Sequence, residues 1–180
     1  VAVRVGSLSV DACHFVTAYH REDASRIAFM PNDERNLETM PDGALGLIPL
    51  ESCKELGLKV DQYLVGWREK RQHQHQNDPA FKGYRRDSYI ISTAVPRFGT
   101  GEAKGVIKES VRGYDLYLMV DVTNYSLTYS VCGYENHMSP DDHYADLKRI
   151  IAAVGGKARR ITAIIPFLYE SRQHKRTARE

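Results

Sequence analysis

The sequence lacks any apolar run that approaches about 18 residues, and it therefore predicts no membrane-spanning helix. Cysteine is scarce: Cys13, Cys53 and Cys132 lie far apart, and none of them belongs to a CxxC pair. This spacing favours reduced thiols in a cytoplasmic protein over a disulfide framework or a zinc site. The first residues are too mixed in character for a signal peptide.

The chain also lacks an excess of charge of either sign, because its net charge is only +2. We therefore expect neither nucleic acid nor an anionic membrane as a partner. There is no GxxxxGKS/T loop and no GxGxxG turn that opens a helix. Metal-ligand patterns are weak: His73 and His75 have no third ligand nearby, and a helix start explains the acids beside His137 and His143. We predict no resident metal site.

A single folded domain is predicted, since 180 residues with a hydrophobic content of 42% suffice for a sizeable core. Residues 1–5 are compatible with a short strand, whereas residues 30–43 are polar and turn-rich, and we interpret residues 1–43 as an N-terminal appendage to a domain formed by residues 44–180. Apolar or β-rich runs predict strands at 44–50, 88–98, 103–110, 116–122 and 160–168. Residues 71–87 are interpreted as a polar connector and residues 123–138 as a long loop.

Two amphipathic helices are predicted. The first covers residues 51–72, with a buried stripe of Leu56, Val60, Leu64 and Trp67. The second begins at an N-cap, Ser139, with Pro140 at its first position and Asp141 and Asp142 in its first turn. Its buried stripe is predicted to comprise Leu147, Ile150, Ile151 and Val154, and Gly155 and Gly156 end it.

Strands that alternate with helices predict an α/β fold with a mainly parallel sheet flanked by helices. Ligands in such folds bind at the carboxyl ends of the strands. Residues 98–102, 121–124 and 169–179 are therefore candidates for a site. For Asp121, which ends a strand, a capping role explains the residue at least as well as a functional one.

The last candidate segment is rich in cations: it contains Arg172, Lys175, Arg176 and Arg179. A solvated surface loop is one explanation of this composition. A phosphate-binding loop is the other, because guanidinium groups bind phosphate oxygens bidentately and lysine adds a mobile charge. The position of the segment after a buried strand favours the second explanation.

Three ordered segments resemble the N-terminal half of the ribose-phosphate pyrophosphokinase (PRPP synthase) family. They are "RFGTGE", "KESVRGYDLYLM" and the stretch from "SPDDHYADLKRIIAAVGG" to "ITAIIPFLYESRQHKR". The resemblance covers residues 44–180, and it implies a phosphoribosyltransferase-like fold. It also implies transfer of the diphosphoryl group of Mg-ATP to ribose 5-phosphate, giving PRPP and AMP, so that ATP is a substrate and Mg²⁺ its companion ion.

The resemblance also implies roles for individual residues. Arg172 and Gln173 match the pair that contacts ATP, and Lys175 and Arg176 fall in the flexible cationic loop over the phosphates, where they would serve catalysis. Phe98 and Glu102 match the residues that contact the nucleotide base, and Thr100 stands between them. In the family this segment reaches ATP in a neighbouring subunit, which implies a homo-oligomer.

The sequence departs from the family pattern at several positions. Thr100 stands where the family has Asn, and His174 where it has Asp. Residues 1–43 and 71–87 have no counterpart in the usual short form. The catalytic His and the acidic ribose-phosphate loop of the family's second half lie outside these 180 residues, so we expect this chain alone to be inactive. A non-catalytic regulatory subunit of the same family is the alternative.

Overall fold

The computed structural model of the protein describes residues 3–6, 43–71 and 85–169. Its strands are β1 (Val3–Gly6), β2 (Ala44–Pro49), β3 (Thr93–Ala94), β4 (Val106–Ile107), β5 (Tyr114–Met119), β6 (Thr128–Val131), β7 (Tyr134–His137) and β8 (Arg160–Ile164). Its helices are α1 (Lys54–Lys70), preceded by a 3-10 turn at Glu51–Cys53, and α2 (Pro140–Val154). No helix in these ranges is long and apolar enough to cross a membrane.

The centre of the domain is a parallel sheet with the strand order β1–β8–β5–β2. In its register, Leu47 of β2 lies beside Tyr117 of β5, which lies beside Thr162 of β8. A parallel sheet is covered on both faces and needs nearly continuous apolar strands, which the runs in β2, β5 and β8 supply. The predicted α/β fold with a mainly parallel sheet is confirmed.

The two helices cover opposite faces of this sheet. Because side chains alternate along a strand, Leu116 and Leu118 of β5 point to one face and Met119 points to the other. The two leucines belong to the larger core cluster, which also contains Ile150 of α2. Met119 packs instead in a smaller cluster, against which Val60 of α1 lies. The sheet is therefore flanked by helices, as predicted.

β1 comes from the stretch that the sequence assigns to an N-terminal appendage. Its backbone pairs in parallel with β8, from Val3 beside Ile161 to Gly6 beside Ile164. The four residues of β1 thus form an edge strand of the sheet, whereas residues 7–42 lie outside the described ranges. The division of the chain into residues 1–43 and 44–180 stays a prediction.

α1 lies where the first helix is predicted, but the face that it buries is different. Leu56, predicted to be buried, is 39% exposed, and the helix instead buries Gly57 and Asp61. The Asp61 carboxylate accepts a hydrogen bond from the Tyr89 backbone N–H at 2.6 Å and another from the Ser88 hydroxyl at 2.8 Å. The prediction for Leu56 is wrong because a buried carboxylate, not an apolar stripe alone, sets the rotation of this helix.

The strands predicted at 88–98 and 103–110 are much shorter in the structure. β3 and β4 pair in antiparallel fashion over two residues each, and Ile90 makes an isolated bridge to Leu47. Outside these pairs, backbone groups find other partners: the Ser92 N–H donates to the Glu109 carboxylate at 2.8 Å. β-branched composition therefore located the segment correctly but overestimated its strand length.

The long loop predicted at 123–138 is wrong in its second half, where β6 and β7 form an antiparallel hairpin. Cys132 and Gly133 form its two-residue turn, with φ angles of 50° and 85°. Such turns need positive φ at both central residues. Asn, Asp and Gly favour that conformation, whereas cysteine adopts it rarely, so the sequence did not predict the turn. The hairpin strands are also largely exposed, so no buried apolar face predicts them.

The predicted start of α2 is confirmed. The Ser139 hydroxyl accepts a hydrogen bond from the Asp142 N–H at 3.2 Å, and the Ser139 N–H donates to the Asp142 carboxylate at 2.9 Å. These reciprocal bonds form a capping box. The predicted end is confirmed as well, since Gly155 adopts a left-handed conformation with φ of 58°. Leu147, Ile150 and Val154 are buried, as expected.

Candidate functional site

The turn at residues 98–102 carries three of the predicted site residues. Phe98 donates its backbone N–H to the Glu102 carbonyl at 2.8 Å, and Gly101 donates to the Phe98 carbonyl at 2.9 Å. Gly101 supplies the φ of 89° that this tight turn requires. The side chains of Phe98, Thr100 and Glu102 are exposed, that of Phe98 at 52%. The structure thus brings these three residues together on one solvent-facing turn.

Arg97 connects this turn to α2, and the sequence did not predict a role for this residue. Its side chain is 9% exposed, and Nη2 donates to the Asp146 carboxylate at 2.8 Å. Nη1 donates to the Gly101 carbonyl at 3.2 Å, and the guanidinium lies 4.3 Å from the centroid of the Tyr129 ring. The signal that could have found Arg97 is the i, i+4 spacing of Asp142 and Asp146, which puts two carboxylates on one helix face.

The two carboxylates that face Arg97 respond differently to their surroundings. Burial raises the pKa of Asp146, and the charges of Arg97 and Arg149 only partly offset that effect. Burial also acts to raise the pKa of Asp142, but hydrogen bonds from Ser139 and the charge of Arg97 bring that pKa below its ordinary value. Arg97 therefore compensates negative charge that α2 carries into a largely buried position.

A groove of about 540 Å³ is lined by residues of the 98–102 turn and of the β6–β7 hairpin. Thr100 lines one side of it, and Tyr134 and Glu135 line the other. The Cys132 N–H donates to the Gly99 carbonyl at 2.9 Å, and this bond joins the hairpin to the turn. The hairpin therefore supports the turn, and the predicted contact residues of the turn stay exposed.

The loop that follows β5 holds the candidates Asp121 and Asn124. The Asp121 carboxylate accepts hydrogen bonds from the Thr123 N–H at 2.9 Å and the Thr123 hydroxyl at 2.7 Å. The Asn124 side-chain amide donates to the Ser52 carbonyl at 3.2 Å, and the Asn124 backbone carbonyl accepts from Nε2 of His143 at 2.7 Å. These contacts within the chain favour the capping explanation for Asp121.

The chain that leaves β8 turns toward the start of α2. The Tyr169 hydroxyl donates to the Asp141 carboxylate at 2.7 Å, and its ring meets that of Tyr144 edge-on at 5.7 Å between centroids. The first two turns of α2 therefore contact both Tyr169 and Arg97. The predicted ATP-contacting residues of this segment follow within the next seven positions but lie outside the described residues; they are Arg172, Gln173, Lys175 and Arg176.

The described ranges contain no group of three or more His, Cys, Asp or Glu side chains that could hold a metal ion. His143 is buried against the Asn124 carbonyl, and His137 contacts the Tyr125 carbonyl at 3.0 Å. The pair His73 and His75 lies outside these ranges. This part of the chain does not fit a protein-held Mg²⁺ site, which would need converging oxygen ligands, and we assign it none.

Comparison with known protein families gives a match over most of the chain. Residues 45–180 match the N-terminal domain of ribose phosphate pyrophosphokinase. The chain belongs to this family. The resemblance stated from the sequence segments is thereby confirmed, and the fold above is that of the family's N-terminal domain as this chain forms it.

One solved structure similar to the chain is the crystal structure of phosphoribosylpyrophosphate synthetase from Mycobacterium smegmatis. The two are 22% identical with a TM-score of 0.42, and the match covers 73% of this chain. It covers 33% of the synthetase chain, so the sequence spans about one third of that protein's length. A comparison with curated protein sequences gives no match.

Proposed function

We propose that the chain is the ATP-binding part of a ribose-phosphate diphosphokinase, which transfers the diphosphoryl group of Mg-ATP to ribose 5-phosphate and releases PRPP and AMP. The observation that carries this proposal is the family match over residues 45–180. The exposed turn at residues 98–102 supports it, because an accessible aromatic ring and a carboxylate stand where the family contacts the base. Acting alone, this part of the protein would not complete the reaction.

Two segments bind different parts of ATP. Phe98 offers its ring face to a planar base, and Glu102 offers an acceptor to an exocyclic amino group. Arg172 and Gln173 bind the nucleotide, and Lys175 and Arg176 follow as cations for the phosphates. Diphosphoryl transfer builds negative charge on phosphate oxygens, so catalysis is mainly positioning and cationic stabilisation. Mg²⁺, when it accompanies ATP, adds charge neutralisation at the same oxygens.

We also propose that the functional form is a cytoplasmic homo-oligomer. Phe98 is 52% exposed, so its ring is accessible to a nucleotide bound by a neighbouring subunit, as the family resemblance implies. Its turn is anchored within its own chain by Arg97 rather than by contacts of the Phe98 ring. Such a turn can present its tip outward without losing its shape.

The second candidate is a non-catalytic regulatory subunit of the same family. Thr100, which is exposed at the tip of the turn, favours it, because one hydroxyl oxygen cannot donate and accept at the two separate atoms that the family's amide offers. His174 in place of an acid points the same way. Under this alternative the protein binds nucleotide but does not form AMP.

ATP binding by the full-length gene product and its Arg172→Ala variant tests the proposal. Loss of one charge-assisted contact, worth about 1.5–3 kcal/mol, should weaken ATP binding by about tenfold to a hundredfold. The thermal midpoint should stay unchanged. Arg159→Met is the matched control, since Arg159 is exposed just before β8, at the opposite end of that strand. Equal ATP affinity in all three proteins would remove the cationic segment from the proposed site.

A further inference from the structure

We propose that Arg97 is a positioning residue for nucleotide recognition: it fixes the 98–102 turn without itself touching ATP. This inference rests on the proposed function, because it assumes that the turn contacts the base. It concerns a residue that the family resemblance did not single out. The observations that carry it are the contacts of the Arg97 guanidinium with the turn, with α2 and with the β6–β7 hairpin.

The guanidinium determines the conformation of Gly101. The Gly101 carbonyl accepts from Arg97 Nη1 at 3.2 Å, while the Gly101 N–H donates to the Phe98 carbonyl at 2.9 Å. Both polar groups of this one peptide residue are therefore held. Phe98 and Glu102, bonded to each other through their backbones at 2.8 Å, flank that residue in the same turn. Moving the guanidinium would release the turn from one side.

The Arg97 guanidinium is held in turn by two carboxylates of α2. Arg97 Nη2 lies 2.8 Å from the Asp146 carboxylate, and both side chains are 9% exposed. A second carboxylate, Asp142, lies 3.8 Å from Nη1. A buried ion pair that also makes further hydrogen bonds is strongly directional, and removal of one partner leaves an uncompensated charge. The turn is therefore tied to a helix that is itself fixed in the core.

The β6–β7 hairpin provides the third point of attachment. The Arg97 guanidinium stacks 4.3 Å from the centroid of Tyr129, and Asn136 Nδ2 donates to the Tyr129 hydroxyl at 3.0 Å. A planar guanidinium can stack on a ring and donate to a carboxylate and a carbonyl at once, whereas a lysine ammonium cannot reproduce that fork. Arg97→Lys should therefore retain the charge but only part of the positioning.

An ordinary structural ion pair would contribute to stability and to nothing else, so the test needs a local readout. We would compare the full-length wild-type protein with Arg97→Met, Arg97→Lys and the exposed control Arg159→Met. Amide hydrogen exchange would be followed at Gly101 in the turn and at Leu118 in the central strand. In Arg97→Lys, which keeps a cation beside Asp146, we expect exchange at Gly101 to accelerate about threefold to tenfold, the effect of one lost hydrogen bond, with exchange at Leu118 unchanged. In Arg97→Met exchange at Gly101 should accelerate at least as much, and exchange at Leu118 should accelerate too, because the Asp146 charge is left without its partner.

The kinetic readout separates positioning from folding. The KM for ATP should rise about tenfold in Arg97→Met and less in Arg97→Lys, while the KM for ribose 5-phosphate stays constant. Equal Gly101 exchange in all variants would overturn the positioning role, as would faster exchange at Leu118 in the charge-retaining variant Arg97→Lys. Faster Gly101 exchange with an unchanged KM for ATP would overturn the inference together with base recognition by the turn. In that case the Arg172→Ala result would still report on the phosphate segment independently.

Discussion

Gly57 of α1 packs directly against Pro49, the last residue of β2. A Cβ atom added to Gly57 would lie 2.3 Å from the Cβ atom of Pro49, a distance that two non-bonded carbon atoms cannot adopt. The absence of a side chain at Gly57 therefore lets the helix approach the sheet closely enough to bury Asp61 one turn later. Close packing at this point also positions Ser52 and Cys53, which precede the helix at the carboxyl end of β2.

Gly57→Ala should destabilise the protein by about 1–3 kcal/mol, because the clash is with the rigid ring of Pro49. Gly66 in the same helix is the matched control, since a methyl group at that position would meet nothing within 4 Å. Gly66→Ala should instead stabilise by up to about 1 kcal/mol through helix propensity. Urea unfolding measures both changes, and two variants of equal stability would contradict the close contact.

Asp61→Ala should lower the free energy of unfolding by about 1–3 kcal/mol, because the Tyr89 N–H would lose its partner in a buried position. Gln62→Ala, at the exposed neighbouring position, should change it by less than about 0.5 kcal/mol. Chemical denaturation of the two variants provides the comparison. Similar effects at both positions would mean that Asp61 does not hold the segment beside β2.

Ser139→Ala should cost about 1 kcal/mol of stability through loss of the α2 cap, whereas Ser139→Thr should retain most of that stability.

Asp142, the capping partner of Ser139, has a pKa below its ordinary value of 3.8. Burial acts to raise this pKa, but the hydrogen bonds with Ser139 and the charge of Arg97 outweigh burial. Its ionisation therefore stabilises the folded state above pH 3.8, and that contribution is lost as the pH falls through the lowered pKa.

The measurement for that pH dependence is the difference in unfolding free energy between the wild type and Asp142→Asn. The difference should be largest near about pH 7 and should shrink toward about pH 3. A difference that grows on acidification would show that the sign of the Asp142 contribution is opposite to the one expected from its hydrogen bonds.

Cys53 should resist alkylation in the folded protein while Cys132 reacts. Burial and the nearby Asp121 charge raise the pKa of Cys53 to about 12, and Cys132 is exposed in the hairpin turn. Thiolate is the reactive form, so iodoacetamide followed by peptide mass spectrometry distinguishes the two sites. Both should react in denaturant. Equal labelling of Cys53 and Cys132 before unfolding would contradict the buried position of Cys53.

Local signals predicted the parts of the fold that local contacts determine. The start of α2 was predictable because its signals lie within one helical turn: Ser139 and Asp142 form the reciprocal hydrogen bonds of a capping box, and Pro140 occupies the first helical position. The rotation of α1 was not, because Asp61 bonds to a backbone group 28 residues away. The β6–β7 hairpin was missed because its strands are mostly exposed and its turn uses Cys132 in a conformation rare for that residue.

The residues of the candidate site also fall into those that the sequence predicted and one that it did not. Phe98, Thr100 and Glu102 were found through the family resemblance, and the structure brings them together on one turn. Arg97 lies next to them in the sequence, but its partner Asp146 is 49 residues away. The i, i+4 spacing of Asp142 and Asp146 signals a paired cation but does not say which residue supplies it. Arg172, Gln173, Lys175 and Arg176 stay predictions, and Arg172→Ala tests them directly.

The most direct test of the central claim is a product assay on the full-length gene product. The protein would be supplied with Mg-ATP and ribose 5-phosphate, and AMP and PRPP would be quantified together. A diphosphokinase should form both products in equal amounts, with ATP consumed at the same rate. ATP binding without formation of AMP would contradict the diphosphokinase proposal and would favour the regulatory subunit.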